Sequence, residues 1–359
     1  MNKTPLHEQH LKLGARMGEF GGWDMPIQYA GILREHHHTR TKASLFDICH
    51  MGEFELSGPT ALEDLASLLT CGVDSLEVGQ VRYGFMLNEA GGTIDDLTCY
   101  RQGAERFMLV VNAGTCEKDA AWIKSRISNE TAFTDLSPDM AKLDVQGPES
   151  RHALEEVLGC TLPNLGYFRF REFDAGDYSF ILSRTGYTGE WGYEIYLPND
   201  AVDRLWNKLL AHELVEPAGL GARDTLRLEM GYPLSGQELL ESSTPFSTSR
   251  GAFINMNKPF TGKDAVAADQ ADPNALLVGL TFDSKRAARE HDKIYHEDIE
   301  IGEVTSGSVA PSLGVAVAMA FVQPGFAIPN QVLQVDIRGR HFPATVIDLP
   351  FYTSGTARG

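Results

Sequence analysis

Three strand-like segments follow one another with only short turns between them, and this feature constrains the fold most. They read RYGFMLN (82–88), TIDDLTCY (93–100) and RFMLVVNA (106–113), and they are joined by EAGG and RQGAE. Such short connections can join antiparallel strands, whereas parallel strands need a crossover of about a dozen residues or more. The sequence therefore predicts an antiparallel β-meander.

Along the sequence, the predicted helices separate groups of consecutive strands and do not alternate with single strands. Helical periodicity is present in five segments that span residues 29–43, 58–70, 114–127, 147–159 and 199–212. Strand-like segments with almost no helical period fill the chain after residue 273. Because the strands do not alternate with helices one by one, we predict an α+β fold of antiparallel sheets with flanking helices and an all-β C-terminal domain.

Length, charge and cysteine content exclude several classes of protein. A chain of 359 residues is long enough for two or three domains. The net charge of −18 argues against nucleic-acid binding, which needs clustered Lys and Arg. The five cysteines are odd in number and lack the paired spacing of a zinc or redox site, which fits a reducing compartment best. The N-terminus has neither a signal-peptide core nor a membrane span, which predicts a cytoplasmic, bacterial-type protein.

The adjacent carboxylates Asp95 and Asp96 follow a Gly-Gly turn and lead into the second strand of the meander. Successive strand residues point to opposite faces, so only one of the two is expected to face the interior. An aspartate at a strand start can simply cap the turn while its neighbour faces water. A buried carboxylate would instead have a raised pKa and could exchange protons or bind an N–H-rich substrate. Position alone leaves both interpretations open.

Three other polar motifs each admit a functional and a structural interpretation. Adjacent helical residues project about 100° apart, so His36–His38 cannot bind one metal ion together and favour a packing or solvated role. In GYTGEWGYEIY, Tyr187, Glu190 and Glu194 could meet at a ligand, although surface glutamates beside a β-turn fit equally well. Arg223 lies near a predicted helix start, against the helix dipole, and could hold an anion or pair with an acidic side chain.

Seven motifs in order give the sequence a specific resemblance. They are GARMGEFGGWDMPIQY, FDICHMGEFELSG, YGFMLNEAGGTIDDLTCY, LDVQGP, RTGYTGEWGYEIYLP, GLGARDTLRLEMGYPLSGQE and GEVTSGSVAPSLGVAVAMAFV. In these motifs, and over nearly the whole chain, the sequence resembles the T proteins (aminomethyltransferases) of the glycine cleavage system. The resemblance implies a three-domain, cloverleaf-like arrangement around a central hole that receives tetrahydrofolate.

The resemblance also implies domain boundaries. The first domain is expected to be discontinuous, formed by residues 1–52 and 137–235, and the second is expected over residues 53–136 with the GGTIDDL meander. A linker over residues 236–272 and a barrel-like C-terminal domain over residues 273–359 complete the expected order.

The implied reaction is the transfer of a methylene group to tetrahydrofolate. The family takes the group from an aminomethyl adduct on the lipoyl arm of the H protein and releases ammonia, 5,10-methylenetetrahydrofolate and the dihydrolipoyl carrier. Tetrahydrofolate is thus the implied acceptor substrate and lipoylated H protein the implied partner, with no metal, nucleic acid or membrane involved. Docking of the carrier is expected to use basic side chains such as Arg34, Arg40 and Lys42.

The resemblance assigns roles to individual residues. It implies that Asp95 is the catalytic residue at the N5 and N10 edge of the folate, with Asp96 structural. Glu194 is implied to accept hydrogen bonds from the pterin amino and ring N–H groups. Further folate contacts are implied for Arg223 and Tyr352, and the pocket wall is implied to contain Tyr83, Met51, Asn112 and Tyr187.

Two residues depart from the family pattern, and two alternative functions therefore remain to be considered. Trp191 stands where an acidic or small residue is usual, and Ala252 stands where an aromatic residue is usual. One alternative is a folate-dependent demethylase of a small methylated amine or sulfonium compound. Another is a non-catalytic folate-binding protein that assists iron–sulfur enzymes. The chain keeps Asp95 and lacks the KGCYxGQE signature of the latter class, which favours an aminomethyltransferase.

Overall fold

The computed structural model describes residues 1–358, which fold into two compact units. The first unit contains residues 1–84 and 95–223, together with the end of the chain from Gly355. The second unit contains residues 85–94 and 224–354. The chain therefore leaves the first unit twice and twice returns to it.

The helices and strands are numbered in chain order. To the end of the meander they are α1 (His7–Lys12), β1 (Arg16–Phe20), β2 (Trp23–Gln28), α2 (Ile32–Thr41), β3 (Ala43–Asp47), β4 (Gly52–Ser57), α3 (Ala61–Leu68), β5 (Val81–Leu87), β6 (Thr93–Arg101) and β7 (Arg106–Val111). The next group is α4 (Cys116–Lys124), β8 (Ala132–Asp135), β9 (Met140–Gln146), α5 (Ser150–Leu158), β10 (Phe170–Asp174), β11 (Ser179–Ser183), β12 (Gly192–Pro198), α6 (Asn199–Leu210), β13 (Val215–Pro217) and α7 (Leu220–Glu229). The last group is α8 (Lys263–Ala271), β14 (Leu276–Thr281), β15 (Lys293–His296), β16 (Ile299–Ala310), β17 (Val315–Val322), β18 (Val332–Asp336) and β19 (His341–Ile347).

The larger sheet of the first unit has six strands in the order β10-β11-β12-β9-β3-β13, and only β13 pairs in parallel, with β3. Helices α5 and α6 pack on one face. In α6 the buried residues Val202, Leu205, Trp206 and Leu209 follow the i, i+3, i+4, i+7 spacing of an amphipathic helix. Burial of each such side chain contributes roughly 1.5–3 kcal/mol to folding. The other face carries the polar residues of β9 and β12.

The meander lies in a five-stranded sheet of order β5-β6-β7-β4-β8, in which β5, β6 and β7 are neighbours as predicted. Strands β6 and β7 are antiparallel, with Cys99 opposite Leu109. Asp95 and Asp96 are the third and fourth residues of β6. The prediction of an antiparallel meander is confirmed.

Residues 45–58 alternate like one strand, and the prediction of a single strand there was wrong. The segment LFDICHMGEFELSG is two strands, β3 in the six-stranded sheet and β4 in the five-stranded sheet. Asp47 bends the chain between them, because its Oδ1 accepts a hydrogen bond from the Cys49 N–H at 2.9 Å. The Met51 N–H then donates to the Ile48 carbonyl at 3.3 Å. His50 and Met51 consequently lie where the chain passes from one sheet to the other.

The second unit contains a closed barrel of six strands in the order β14-β17-β16-β15-β18-β19. Buried aliphatic side chains such as Leu280, Val304 and Val335 form its core. Closure removes unpaired strand edges. The barrel confirms the predicted all-β C-terminal domain, and the mixed sheets and helices confirm the α+β class. The segment expected as a linker contains α8 and two short 3-10 helices.

The end of the chain completes the first unit around the buried carboxylate of Glu190. Oε2 of Glu190 accepts hydrogen bonds from the Thr356 N–H at 3.1 Å and the Thr356 hydroxyl at 2.6 Å. Arg40 pairs with Oε1 at 2.9 Å. Arg184 donates through Nη2 to the Ala357 carbonyl at 2.8 Å. The interpretation of Glu190 as a surface glutamate was therefore wrong.

Among residues 1–358, none of the helices has both the length and the apolar character that crossing a membrane requires.

Candidate functional site

Asp95 is a fully buried carboxylate held by Asn112, the residue that follows β7. The Asn112 N–H donates to Asp95 Oδ2 at 2.9 Å, and the Asn112 side-chain Nδ2 donates to Oδ1 at 2.8 Å. Burial raises the pKa of Asp95 above its usual value, although the two Asn112 donors oppose this rise. Two donors from one residue fix the orientation of the carboxylate without supplying a positive charge.

Asp96 is half-buried and shares the same amide. Asn112 Nδ2 lies 2.9 Å from Asp96 Oδ1 and 3.0 Å from the Asp96 carbonyl, and the Tyr83 hydroxyl donates to Asp96 Oδ2 at 2.9 Å. Burial and the neighbouring Asp95 charge raise the pKa of Asp96 to about 7. We call Tyr83, Asp95, Asp96 and Asn112 the aspartate cluster. Only Asp95 is fully buried, as alternation predicts, but the reach of Asn112 to both carboxylates was not predicted.

Glu194, on β12, is a buried carboxylate surrounded by hydroxyl groups. Its Oε2 accepts hydrogen bonds from Thr185 at 2.5 Å, from Tyr196 at 3.2 Å and from Tyr100 at 3.3 Å. Its Oε1 lies 3.4 Å from Nζ of Lys142. Burial alone would raise the pKa of Glu194, but the Lys142 charge and the Thr185 hydrogen bond outweigh it and lower the pKa. Glu194 is therefore held as a carboxylate.

Lys142 and Asp144, on β9, are buried charged residues that the sequence analysis missed. Lys142 is 2 % exposed and Asp144 is 0 % exposed. The register pairs Asp144 with Glu194 and Lys142 with Tyr196 across the β9–β12 ladder. The signal was present in KLDVQ, because polar and apolar residues alternate and the polar ones share one face.

Arg223 forms a salt bridge with Asp144, from Nη1 to Oδ2 at 2.9 Å. Its guanidinium also lies over the Tyr187 ring, 4.9 Å from the centroid. Burial raises the pKa of Asp144 to about 7, although the Arg223 charge opposes this. We call Lys142, Asp144, Glu194 and Arg223 the glutamate cluster. Of the two interpretations of Arg223, pairing with an acidic side chain is the one observed.

Met51 lies between the two clusters. Its Sδ is 3.6 Å from Lys142 Nζ. It precedes Gly52, which pairs with Val111, so the antiparallel register places Met51 beside Asn112. Met51 therefore lies beside Asn112 of the aspartate cluster and beside Lys142 of the glutamate cluster.

His50, the neighbour of Met51, is a buried neutral imidazole. Burial and the positive charges of Arg223 and Lys142 lower its pKa to about 3, although Asp47 opposes this. Its ring packs edge-on against Phe20, with centroids 5.5 Å apart. His50 therefore adds no positive charge to the site at neutral pH.

The residues named by the resemblance fall almost entirely in one unit. The first unit holds Met51, Tyr83, Asp95, Asn112, Tyr187, Glu194 and Arg223. Tyr352 lies in the second unit, where it is half-buried and its backbone N–H donates to the Glu229 carbonyl at 2.8 Å.

The two residues that depart from the family pattern have different environments. Trp191 stacks under Arg184, whose guanidinium carbon is 3.4 Å from the ring centroid, and its indole N–H donates to the Tyr193 hydroxyl at 3.2 Å. Trp191 is thus part of the packing of the first unit. Ala252 lies in the second unit, exposed, in the 3-10 helix Gly251–Phe253.

The remaining histidine and cysteine motifs have structural environments. His36 is fully buried, and Nε2 of His38 lies within hydrogen-bonding distance of the Ala43 and Leu214 carbonyls, as the packing interpretation predicted. All five cysteines are free thiols. No group of three or more His, Cys, Asp or Glu side chains in the described part of the chain could hold a metal ion.

Comparisons with known proteins agree over the whole chain. The family model described as the GCVT N-terminal domain matches residues 6–258, and the glycine cleavage T-protein C-terminal barrel domain matches residues 276–353. The chain is 41% identical to an aminomethyltransferase of Desulfitobacterium hafniense over 358 residues, with 98% of both chains covered. It is equally similar to an aminomethyltransferase of Moorella thermoacetica, at 41% over 358 residues and 98% of each chain. The crystal structure of glycine cleavage system aminomethyltransferase T from Bartonella henselae matches with a TM-score of 0.94 and 35% identity over 99% of each chain.

Proposed function

The chain belongs to the glycine cleavage T-protein family, and we propose that the aspartate and glutamate clusters of its first unit carry its aminomethyltransferase reaction. The proposed acceptor is tetrahydrofolate, and the proposed donor is an aminomethyl group on the lipoyl arm of a carrier H protein. The demethylase and the non-catalytic folate-binding alternatives are not favoured, because full-length relatives are aminomethyltransferases.

The reaction transfers the methylene carbon from sulfur and the amine nitrogen of the donor to N5 and N10 of tetrahydrofolate. The methylene carbon loses its bonds to sulfur and to the amine, and it gains bonds to N5 and N10 of tetrahydrofolate. The two protons that leave these nitrogens end on the departing amine and on the thiol. Since no oxidation occurs, the protein must position the two substrates and control where the protons go.

Asp95 is proposed as the group that orients the folate nitrogens and accepts the first proton. The observation that carries this proposal is the buried Asp95 carboxylate, which two Asn112 donors orient without neutralising it. A pKa raised by burial brings a carboxylate closer to the basicity that proton transfer near neutral pH requires. The negative charge would also stabilise the iminium charge that develops on the methylene carbon.

Glu194 is proposed as the acceptor for the pterin amino and ring N–H groups. A carboxylate only accepts hydrogen bonds, and the Lys142 ammonium keeps Glu194 in that form. Arg223 and Tyr352 are proposed as further folate contacts, with Tyr83, Met51, Asn112 and Tyr187 in the pocket wall.

The carrier is proposed to dock through exposed basic groups of the first unit. Arg40 is a poor candidate, because it is buried and pairs with Glu190. Arg34 is exposed and bridges to Glu216 at 2.9 Å, and Lys42 is exposed at the end of α2. We propose that the protein acts in the cytoplasm and that the reaction needs no metal.

A single-turnover assay tests this function. Purified protein is mixed with tetrahydrofolate and an aminomethylated, lipoylated carrier, and ammonia and methylenetetrahydrofolate are followed together. We expect both products in a one-to-one ratio. If tetrahydrofolate binds and neither product forms, the proposed reaction is wrong, and methylated amines and sulfonium compounds become the donors to assay.

A further inference from the structure

Asp119, on α4, is a buried acid beside the aspartate cluster. Its exposure is 0 %, and its backbone N–H donates to the Thr115 carbonyl at 2.8 Å. As a carboxylate, Asp119 finds no hydrogen-bond partner for either oxygen among residues 1–358. The nearby Thr115 hydroxyl donates to the Asn112 carbonyl at 3.2 Å. A buried ionised carboxylate in such a place is strongly unfavourable, so the group requires a proton or a ligand.

The group against which Asp119 lies is the carboxyl of Asp95, within hydrogen-bonding reach. Two ionised carboxylates cannot bond to each other, because neither has a donor and their charges repel. One proton between them removes the repulsion and supplies the missing donor. Asn112 already donates to both oxygens of Asp95. Asp95 is therefore the acceptor of the pair, and Asp119 is the member that carries the proton.

The electrostatic surroundings agree with this assignment. Burial, followed by the charge of Asp95, raises the pKa of Asp119 to about 9, and the nearby Thr115 hydroxyl and the charge of Lys118 oppose only part of the rise. Cys116, on the same helix, stays a neutral thiol because burial and surrounding carboxylates raise its pKa to about 12. The remaining acidic groups that face these side chains are Asp96 on β6, Glu53 on β4 and Asp135 on β8.

We propose that Asp119 is a positioning residue that holds the proton it shares with Asp95 and thereby sets the orientation and basicity of the Asp95 carboxylate. The inference rests on the proposed role of Asp95. With the proton on Asp119, the pair carries a single negative charge. The proton that leaves a folate nitrogen goes to Asp95 and then to the departing amine or thiolate. The Asp119 proton is not consumed, so the pair returns to its starting state after each turnover.

A carboxyl ¹³C NMR titration of the full-length wild-type protein, labelled at aspartate, tests the shared proton directly. Two interacting acids titrate as a pair, so we expect a step near pH 9 that moves the signals of Asp95 and Asp119 together. Asp119→Asn and Asp95→Asn serve to assign the two signals. Titration of the Asp119 signal below pH 5 would overturn the inference.

Single-turnover kinetics of Asp119→Asn test the consequence for the reaction. The amide can still donate to Asp95 but has no proton to share, so we expect the transfer rate to fall about 10- to 100-fold with the dissociation constant of tetrahydrofolate unchanged. The pH dependence near 9 should also disappear. Glu117→Gln, which removes an exposed carboxylate from the same helix, is the matched control and should leave rate and pH profile as in the wild type.

The two proposals fail in distinguishable ways. An Asp119→Asn variant with the wild-type rate and pH profile would overturn the positioning role. An Asp95→Asn variant with full activity would overturn the proposed role of Asp95, whatever the titration shows for the pair.

Discussion

The aspartate cluster and the glutamate cluster each contain a buried carboxylate, but the pKa is raised in the first and lowered in the second. Asp95 is held by an amide, and burial raises its pKa. Glu194 is held by an ammonium group, and that charge outweighs burial and lowers its pKa. An amide orients a carboxylate without fixing its charge, whereas an ammonium fixes the charge as well. The first arrangement suits a group that exchanges protons, and the second suits one that must always accept hydrogen bonds.

Asp144 shows that a positive partner alone does not decide the outcome. Arg223 is 2.9 Å away, yet burial keeps the pKa of Asp144 raised, at about 7. Glu194 has hydroxyl donors in addition to Lys142. Asp144 accepts from the Gln146 amide at 2.6 Å, but the negative charge of Glu194 adds to burial in raising the pKa of Asp144. The charge of the neighbouring carboxylate, and not only the presence of a cation, therefore separates Asp144 from Glu194.

Asp95→Asn should have the largest effect, because it removes the proton acceptor and keeps the shape. We expect the single-turnover rate to fall about 10²- to 10⁴-fold, with the dissociation constant of tetrahydrofolate little changed. Asp96→Asn is the matched control, since it removes the adjacent, half-buried carboxylate, and its rate should fall less than tenfold. Equal losses in the two variants would contradict the assignment of the reaction to Asp95.

Lys142→Met should make Glu194 behave like the acids of the aspartate cluster. Without its cation, burial would raise the pKa of Glu194, and protonation would turn one of its two acceptor oxygens into a donor, which the pterin N–H groups cannot use. We expect tetrahydrofolate to bind about 10- to 100-fold more weakly at neutral pH.

The affinity for tetrahydrofolate should depend on pH differently in the wild type and in Lys142→Met. In the wild type Glu194 stays ionised, so its contribution to affinity is constant between pH 6 and 9. In Lys142→Met the affinity should rise with pH, because raising the pH restores the carboxylate. Lys208→Met, on the exposed side of α6, is the control. A Lys142→Met affinity that is independent of pH would show that the ammonium does not keep Glu194 ionised.

Arg223→Ala should have the smallest effect on the function, because the guanidinium is already committed to Asp144. We expect equilibrium binding of tetrahydrofolate to weaken about tenfold and the transfer rate of the bound complex to change little. Urea unfolding measured alongside separates lost binding from lost stability, since Asp144 is left without its partner. An unaltered dissociation constant in a folded variant would refute the folate contact.

The sequence predicted those parts of the fold that depend on local pattern. The meander of β5, β6 and β7 followed from alternation and short turns, and α6 followed from the spacing of its apolar residues. The break at Asp47 was missed, because a side chain that accepts a hydrogen bond from a nearby backbone N–H leaves no mark on the apolar pattern.

Candidate site residues were predictable where they lie in specific motifs. Asp95 and Glu194 belong to motifs of the family. Lys142 could be recognised only as a polar residue of a predicted strand, because the sequence does not show that its side chain is buried. Asp119 was missed for a different reason. It meets Asp95 only in the folded chain, and no local rule connects residues so far apart in the sequence.

The contacts of Thr356 and Ala357 have a consequence for the order in which the protein is made. Translation releases the chain from its N-terminus, at about 5–20 residues per second. The loop that carries Glu190 emerges long before Thr356, which completes its hydrogen bonds, because all the strands of the barrel lie between them in the sequence. Until then, the Glu190 carboxylate has Arg40 but lacks its two donors from Thr356. The first unit is therefore completed only after the barrel, so a nascent chain holds an incomplete first unit for the whole time in which the barrel is translated.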